Sequence, residues 1–364
     1  MEILSVSVAK GIYPASESDR DTNPGASLVN YKVVHKGDVV YNSMRMWQGA
    51  VGSSDYDGIV SPAYVVARPT IELDSTCFGY LLKRPEMLYK YLCDSQGNSK
   101  DTQTLKYDRF ADIEATMPAN LEEQRAISAC LGSVDHLITL HQRKYDKLVI
   151  LKKSMLEKMF PKDGESVPEI RFAGFTDPWE QRQLGELVTT TIGGGTPSTS
   201  NPAYWDGEIP WIQSSNVLED TLFDVDIPKA ITQKGLEESA AQIVPENSIA
   251  VVTHVGVGKL IYLPFQYSTS QDFISLCGLK GDARYTCYAL WKRLQEDLHI
   301  VQGSAIKGIT KEDLLEKNLP MPSVEEQAQI GVLFSQLDNL ITLHQRKLEL
   351  LQNIKKSLLD KMFV

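Results

Sequence analysis

The sequence is poor in the features that mark secreted and membrane proteins. It contains five cysteines, Cys77, Cys93, Cys130, Cys277 and Cys287, and no two of them are spaced C-x-x-C. An odd number of scattered thiols favours reduced cysteines over a disulfide framework or a zinc site. No apolar run reaches the roughly 18 residues of a transmembrane helix. The N-terminus has no basic segment leading into an apolar core, so no secretion signal is predicted. We therefore expect a cytoplasmic protein.

Recognisable catalytic motifs are also missing. Asn201-Pro-Ala-Tyr204 and Ser61-Pro-Ala-Tyr64 are similar to the [D/N/S]-P-P-[Y/F] motif of adenine methyltransferases, but both have Ala at the third position. No glycine-rich cofactor turn accompanies either segment, and turn-forming X-Pro dipeptides are the simpler interpretation. Residues 255–259 approximate a phosphate-binding loop, but Thr253 stands where the first Gly is required. We expect no catalytic residue, metal site or cofactor; an adenine-N6 DNA methyltransferase is the alternative.

Positive charge is not in excess. The 364 residues include 37 Lys and Arg against 47 Asp and Glu, a formal net charge of −10. This balance argues against a general nucleic-acid coat, but it leaves room for sequence-specific binding, which depends on where the cations lie. With 42% hydrophobic and 23% charged residues, the chain has the composition of a globular protein of two or three domains.

A repeated segment organises the chain. Residues 121–160 and 324–363 align without a gap, and 21 of their 40 positions are identical. The identical positions include the octapeptide Leu-Ile-Thr-Leu-His-Gln-Arg-Lys at 137–144 and 340–347. A repeat of this kind indicates a duplicated fold.

Each copy is predicted to be one long helix. Asn120 and Ser323 occupy the N-cap position, and Glu123 and Glu326 follow three residues later, which is the spacing of a capping box. Forty helical residues make a rod of about 60 Å.

The apolar positions of both copies follow a heptad, which is typical of a coiled-coil seam. The residues predicted to pair the helices and dock partners are Ile127, Leu131, Ile138, His141, Leu148, Ile330, Phe334, Leu337, Ile341, His344, Leu348 and Leu351. The stripe is widened by Leu137, Leu140, Leu340 and Leu343. More than two helices could therefore pack here. If the helices pair antiparallel, His141 and His344 should approach each other, each as a partly buried, hydrogen-bonded histidine.

The rest of the chain alternates predicted strands, helices and turns. The predicted domains are a first mixed domain at 1–118, the first long helix at 119–160, a linker at 161–178, a second mixed domain at 179–322 and the second long helix at 323–364. Strands are predicted at Tyr31–Val34, Asp38–Tyr41, Tyr64–Ala67, Ile249–Thr253, Leu260–Leu263 and Phe273–Leu276, and helices at 77–93 and Tyr285–Leu298.

The duplication extends weakly into the mixed domains. Lys36–Tyr41 aligns with Glu246–Val251, and Ile3–Ser7 aligns with Trp211–Ser215. On this register, roughly 30 residues from Trp179 to Pro210 have no counterpart ahead of Met1. We expect the first half to begin partway through its unit.

These motifs resemble a known family. Met-Pro, then Glu-Glu-Gln, then the long helix ending Lys-Met-Phe, each present twice, are similar to the conserved regions of the specificity subunit of type I restriction-modification systems. The second mixed domain opens Trp179-Glu-Gln-Arg-Gln-Leu-Gly-Glu-Leu and continues Gly194-Gly-Thr-Pro-Ser, which resembles the start of a target-recognition domain in that family. Met44-Arg-Met-Trp-Gln-Gly49 is similar to such domains too.

The resemblance implies an α+β fold with two mixed α/β target-recognition domains, separated by two long antiparallel coiled-coil helices in a pseudo-twofold internal repeat. The first domain would lack about 30 N-terminal residues relative to the second. Each domain would read one part of a bipartite site on double-stranded DNA. The helices would dock two methyltransferase subunits, and restriction subunits would join the larger complex. S-adenosylmethionine and catalysis would belong to the partners. A coiled-coil scaffold without DNA recognition is a second alternative.

Reading bases requires amide, hydroxyl and guanidinium groups on loops that reach base edges. The predicted base contacts are Asn42, Ser43, Arg45, Gln48, Gln213, Ser214, Ser215, Asn216, Thr253 and His254. The predicted phosphate contacts are Lys100, Lys106, Arg109, Lys259, Lys307 and Lys311. Each is equally compatible with an ordinary solvated loop residue. Because the chain is acidic, we expect weak DNA binding without methyltransferase partners.

Overall fold

The computed structural model describes residues 1–8, 10–18, 28–97, 103–298 and 308–363, together with the backbone of 299 and 300. It divides into two compact units. Unit 1 comprises Met1–Arg143 and Gln345–Val364, and unit 2 comprises Lys144–His344. Each long helix therefore contributes one half to each unit. The predicted domain boundaries, which treat helices and linker as separate segments, stay a prediction.

Unit 1 combines two small sheets with short helices. Its strands are β1 (Glu2–Ser7), β2 (Gly11–Pro14), β3 (Lys32–Val34), β4 (Val39–Asn42), β5 (Val51–Ser53), β6 (Gly58–Val60) and β7 (Tyr64–Ala67). Its helices are α1 (Ser75–Leu82), α2 (Pro85–Asp94), α3 (Tyr107–Ala111) and the first part of α4 (Leu121–Lys158). The strand orders are β2-β1-β6-β3 and β5-β4-β7. Apolar clusters around Tyr41 and Val40 form its core.

One helix prediction was wrong. Residues 77–93 form two helices, α1 and α2, which Lys83 and Arg84 separate. Pro85 begins α2, where its fixed φ suits a first helical position and its missing N–H would have no partner. The residue before a proline is pushed out of helical conformation, and Arg84 has ψ of 144°. Because the apolar residues keep a helical spacing across the break, the sequence pattern did not show that the first helix ends there.

Unit 2 is larger. Its elements begin with β8 (Glu180–Gln183), α5 (Leu184–Leu187), β9 (Thr190–Gly193), β10 (Trp205–Ile212), β11 (Ala230–Ile231) and α6 (Gln233–Glu237). They continue with β12 (Ser248–Val252), β13 (Leu260–Leu263), β14 (Ser268–Thr269), β15 (Phe273–Cys277), α7 (Ala283–Ile300), α8 (Lys311–Leu315), β16 (Asn318–Met321) and α9 (Val324–Met362). The strand orders are β13-β12-β15-β9, β11-β10-β14 and β16-β8. The predicted strands and long helices are confirmed.

The duplication of the mixed domains is visible in strand pairing. β4 and β7 are antiparallel with Tyr41 opposite Val65, and β12 and β15 are antiparallel with Val251 opposite Ile274. β1 lies parallel to β6 in unit 1, as β10 lies parallel to β14 in unit 2. The two halves therefore share a sheet plan as well as a helix.

The long helices run antiparallel in each unit. In unit 1, Ile127 and Leu131 of α4 share an apolar cluster with Leu358 and Met362 of α9. In unit 2, the late residues of α4 pack against the early residues of α9, and the ring centroids of Phe160 and Phe334 lie 6.1 Å apart. Every residue of the predicted seam is buried or half-buried. The coiled-coil prediction is confirmed, whereas the predicted approach of His141 to His344 joins residues of different units and stays a prediction.

A cluster of one tyrosine, one aspartate and one lysine fixes the long helices in each unit. In unit 1, the Tyr80 hydroxyl donates to Asp135 at 2.8 Å, and Lys355 pairs with the same carboxylate at 2.5 Å. In unit 2, Tyr288 donates to Asp338 at 2.5 Å, and Lys152 pairs with that carboxylate at 2.5 Å. Burial and the neighbouring carboxylate raise the pKa of both tyrosines, so the hydroxyls stay protonated donors.

The caps of the long helices differ from the predicted capping box. Asn120 accepts a hydrogen bond from the N–H of Glu122 at 2.8 Å, and Ser323 accepts one from the N–H of Glu326 at 3.3 Å. The Glu326 carboxylate does not return to the cap, because it binds the Arg171 guanidinium through two bonds of 2.7 and 2.8 Å. Each helix start is therefore capped by one side chain.

The five cysteines are free thiols, and burial raises the pKa of Cys77 to about 11. Within the described ranges, no helix is long and apolar enough to cross a membrane. The same residues contain no group of three or more His, Cys, Asp or Glu side chains arranged to hold a metal ion.

Candidate nucleic-acid interface

In unit 1, three loops meet at the end of β4. The Ser43 hydroxyl donates to the carbonyl of Ala63 at 3.2 Å, and the Ser43 carbonyl accepts from the N–H of Leu105 at 2.8 Å. Met46 is fully buried and begins a 3₁₀ turn that ends at Gly49, whose φ of 94° favours glycine. These contacts hold the loop at 43–50 beside residues 61–63 and 103–106.

The charged candidates of unit 1 project from this loop cluster. Arg45 and Gln48 are exposed in the β4–β5 loop, and Lys106 and Arg109 are exposed at the start of α3. Asn42 is half-buried, and its side-chain oxygen accepts from the N–H of Met44 at 3.0 Å. The β4–β5 loop and the helix α3 with its N-cap residue Lys106 thus present three cations and one amide to solvent.

Unit 2 repeats this construction. The Thr253 hydroxyl donates to the carbonyl of Asp272 at 3.0 Å, and the Thr253 carbonyl accepts from the N–H of Ile309 at 2.8 Å. Thr253 and Ser43 occupy the same place in the duplicated sheet plan, one residue beyond the matched ends of β12 and β4. Each half therefore fixes its hairpin loop by a hydroxyl and a carbonyl of one residue.

Thr253 itself is fully buried and turned inward, so it positions the loop rather than facing solvent. The exposed residues beyond it are His254 and Val255, the latter 70% exposed. Lys259 is half-buried, and Lys311 is exposed at the first position of α8. Of the sequence candidates, Lys100 and Lys307 lie outside the described residues.

The turn at Gln213–Asn216 joins the same cluster. Ser270 donates its N–H to Ile212 at 2.8 Å, and its hydroxyl donates to the Asp272 carboxylate at 3.2 Å. Within the turn, the Gln213 amide donates to the Ser215 hydroxyl at 2.9 Å, and the Asn216 oxygen accepts from the N–H of Gln213 at 3.0 Å. Ser214 lies half-buried in this 3₁₀ turn. The structure thus brings the 213–216 and 253–254 candidates together.

Sequence reasoning missed a cation in this cluster. The Lys229 ammonium lies 5.9 Å from the ring of Trp205 and 5.7 Å from the ring of Trp211, and 3.4 Å from the side-chain oxygen of Gln213. Cation–π contacts hold this exposed lysine beside the turn. The signal that could have found it is the pair of tryptophans, although nothing in the spacing links them to residue 229.

Thr196 and Gln271 were also missed. The Thr196 hydroxyl donates to the Gln271 side-chain oxygen at 2.5 Å. Gly194 brings this loop close, because a Cβ there would meet the carbonyl oxygen of Ser270 at 1.8 Å. The Gly194-Gly195 pair was a usable signal, since paired glycines often mark a close backbone approach.

The methyltransferase-like segments form turns. The Asn201 side-chain oxygen accepts from the N–H of Ala203 at 3.1 Å, and the Ser61 hydroxyl accepts from the N–H of Ala63 at 3.4 Å. Both are local turns of the kind that precede or follow an X-Pro bond. In both segments the first side chain accepts a hydrogen bond from a backbone N–H group of the same turn.

Parts of this chain are similar to a known protein family and to individual proteins. Residues 176–353 match the family model described as Type I restriction modification DNA specificity domain. The type I restriction enzyme MjaIX specificity subunit of Methanocaldococcus jannaschii is 28% identical over 193 residues, which cover 51% of this chain and 44% of that protein. The putative MjaX specificity subunit of the same organism is 24% identical over 293 residues, which cover 77% and 65%. The match thus spans less than two thirds of either relative.

The fold has a counterpart among solved structures. The crystal structure of the type I restriction-modification S subunit from M. genitalium matches with a TM-score of 0.63 and 16% identity, covering 92% of this chain and 84% of that one. At this identity the match establishes a shared fold.

Proposed function

We propose that this chain recognises a bipartite sequence on double-stranded DNA. The premise is that it belongs to the specificity-subunit family of type I restriction-modification systems. In this proposal each unit reads one part of the site, and partner subunits carry out methylation and cleavage.

The observation that carries the proposal is the duplicated loop cluster. Ser43 and Thr253 fix a hairpin loop in the same way in two units, but the side chains presented differ. Unit 1 presents Arg45 and Gln48, whereas unit 2 presents His254 and the apolar Val255. A constant frame with variable side chains is suited to reading two different half-sites.

The chemistry of these side chains fits base and phosphate contacts. Arg forms paired hydrogen bonds with guanine in the major groove, and an apolar side chain contacts the thymine methyl group. Exposed Lys106, Arg109 and Lys311 lie beside the readers, where they would position the backbone through phosphate contacts. Local cations serve this role although the whole chain is acidic.

We assign partner docking to apolar side chains that the pairing of the long helices leaves exposed. Those of unit 1 are Leu137, Leu140, Leu350 and Ile354. Those of unit 2 are Val149, Ile150, Leu151, Val324, Val332, Leu340 and Leu343. Exposed apolar patches of this kind mark protein interaction sites. Since each unit carries one, we propose one methyltransferase subunit per unit, with restriction subunits joining that complex in the cytoplasm.

The proposed methyltransferase partner binds S-adenosylmethionine and transfers the methyl group. An adenine methyltransferase activity of this chain is the rival, and calorimetric titration with S-adenosylmethionine separates the two: the proposal predicts no binding by the isolated chain. A coiled-coil scaffold is the other rival. Footprinting of a random-sequence library, with the methyltransferase subunit present, should protect one bipartite sequence; indiscriminate or absent protection supports the scaffold.

A further inference from the structure

Two contacts orient the imidazole ring of His254 in the loop that follows β12. Its Nδ1 lies 3.2 Å from the hydroxyl oxygen of Thr253, which is fully buried. The second contact is with Gly308, where a Cβ would meet the ring carbon Cδ2 at 3.1 Å and the Thr253 carbonyl oxygen at 2.7 Å. So close a backbone approach requires glycine. The side chain of His254 is exposed, yet its ring is fixed at one edge.

The Thr253 hydroxyl determines which nitrogen of this ring carries a proton. The hydroxyl oxygen lies 3.0 Å from the carbonyl oxygen of Asp272, which can only accept hydrogen bonds. That carbonyl also accepts from the N–H of Thr253 at 2.8 Å, which leaves its second lone pair for the hydroxyl. Without a proton between them the two oxygens would repel each other, so Thr253 donates its single hydroxyl proton to Asp272. The hydroxyl can then only accept from the ring, and Nδ1 of His254 carries a proton.

The other ring nitrogen, Nε2, is therefore a hydrogen-bond acceptor. A neutral imidazole carries one proton, and the hydrogen bond made by one nitrogen sets the role of the other. Within the described part of unit 2, the hydrogen bond of this ring is made by Nδ1. The lone pair of Nε2 is thus left for a ligand.

Unit 1 carries different chemistry at the corresponding place. The Ser43 hydroxyl donates to the Ala63 carbonyl at 3.2 Å, as Thr253 does to its own carbonyl partner. The next residue is Met44, which is 50% exposed and offers a thioether sulfur, a weak acceptor. A strong acceptor next to the positioning hydroxyl is therefore a property of the unit 2 loop.

We propose that Nε2 of His254 accepts a hydrogen bond from the exocyclic amino group of an adenine or a cytosine in the half-site read by unit 2. In the major groove, adenine N6 and cytosine N4 are donors, whereas the hydrogen-bonding groups of guanine and thymine are acceptors. An acceptor of fixed orientation selects a donor, because two facing acceptors repel each other. The inference rests on the proposed DNA recognition and adds the reading atom and the base chemistry that it reads.

The first test compares DNA duplexes that differ by a single amino group. The full chain with the methyltransferase subunit is titrated with its mapped site, and with copies in which one adenine is replaced by purine or one cytosine by 2-pyrimidinone. One copy, altered in the half-site of unit 2, should bind about fivefold more weakly, the usual effect of one lost hydrogen bond. His254→Met, which introduces the side chain found in unit 1, should bind that copy and the unaltered site equally. His35→Met, at an exposed histidine before β4, should preserve the difference.

The second test examines the ring without DNA. Nitrogen-15 spectra of the histidine-labelled full chain in alkaline buffer should show Nδ1 of His254 protonated and Nε2 unprotonated. The signals are identified by their loss in His254→Met. Thr253→Val removes the hydroxyl and should abolish this preference, and Thr253→Ser should restore it, because a serine hydroxyl donates to a carbonyl in the same way in unit 1.

Two results would overturn this inference and leave the recognition function intact. One is a ring protonated at Nε2, with binding that weakens when 7-deazapurine removes the N7 acceptor of one base and that no longer does so in His254→Met. The other is a preferred bipartite site for which His254→Met alters the response to none of the amino-deleted copies. Absence of any preferred site would overturn the recognition function and this inference together.

Discussion

Replacing Leu340 and Leu343 together by Glu should disrupt assembly with the methyltransferase subunit without unfolding unit 2. These side chains are 44% and 46% exposed, so about half of each remains to be buried by a partner. Full burial of a leucine contributes about 1.5–3 kcal/mol, and half-burial of two therefore about 1.5–3 kcal/mol in total. Desolvating two carboxylates adds to this loss. We expect affinity to fall at least about thirtyfold.

Leu337→Asp is the contrasting variant. Leu337 is 7% exposed and belongs to the same cluster as Phe334 and Tyr288, so a substitution there affects folding rather than the exposed docking surface. A buried, unpaired carboxylate costs several kcal/mol, and this variant should unfold unit 2. Isothermal titration with the methyltransferase subunit and thermal denaturation measure the two effects. Unchanged affinity of the Leu340→Glu, Leu343→Glu double variant, or a stable unit 2 in Leu337→Asp, would refute the assignment.

Three further predictions concern stability and affinity. Lys152→Met should destabilise unit 2 by about 2–4 kcal/mol, because it leaves the mostly buried Asp338 without its cation. The control, Lys153→Met at an exposed position, should change the denaturation midpoint little. Equal effects of the two substitutions would contradict the role of the Lys152, Asp338 and Tyr288 cluster. Although burial opposes ionisation, hydrogen bonds from Arg68 lower the pKa of Asp38. The stability contributed by this pair is therefore present above the unfolded pKa of the carboxyl and is lost as pH falls through its folded pKa. Thermal melts of Arg68→Gln should show a smaller loss of stability on acidification from pH 5 to 2, and an unchanged pH dependence of the melting temperature would refute the linkage. The isolated chain should bind its DNA target weakly and more tightly with the methyltransferase subunit, and nanomolar binding alone at physiological salt would contradict this expectation.

The sequence predicted what depends on local periodicity. The heptad that runs through Leu131 and Phe334 was sufficient to predict the helices and the burial of the seam, whereas their antiparallel pairing was implied by the family resemblance. The apolar pattern of residues 77–93 did not predict the break before Pro85, because apolar spacing is nearly the same for one helix and for two helices in line. The heptad also led us to predict docking on the seam; because helix pairing buries or half-buries those side chains, we propose exposed residues such as Leu343 for that role.

The site depends on contacts between residues distant in the sequence, and these were less predictable. The loops bearing Arg45 and His254 were identified from their polar composition, but their shared construction rests on bonds from Ser43 to Ala63 and from Thr253 to Asp272. Lys229 lies beside Gln213 only because two strands bring it there. Sequence patterns report side-chain chemistry, whereas the sheet decides which side chains meet.

Methylation mapping of genomic DNA, from cells that carry this chain with a methyltransferase subunit, tests the central claim most directly. The unchanged chain should direct methylation to one bipartite sequence. Arg45→Ala should relax or change one half of that sequence, and His254→Ala should affect only the other half. Methylation that ignores both substitutions, or a change in both halves from either one, would contradict the account of two separate readers.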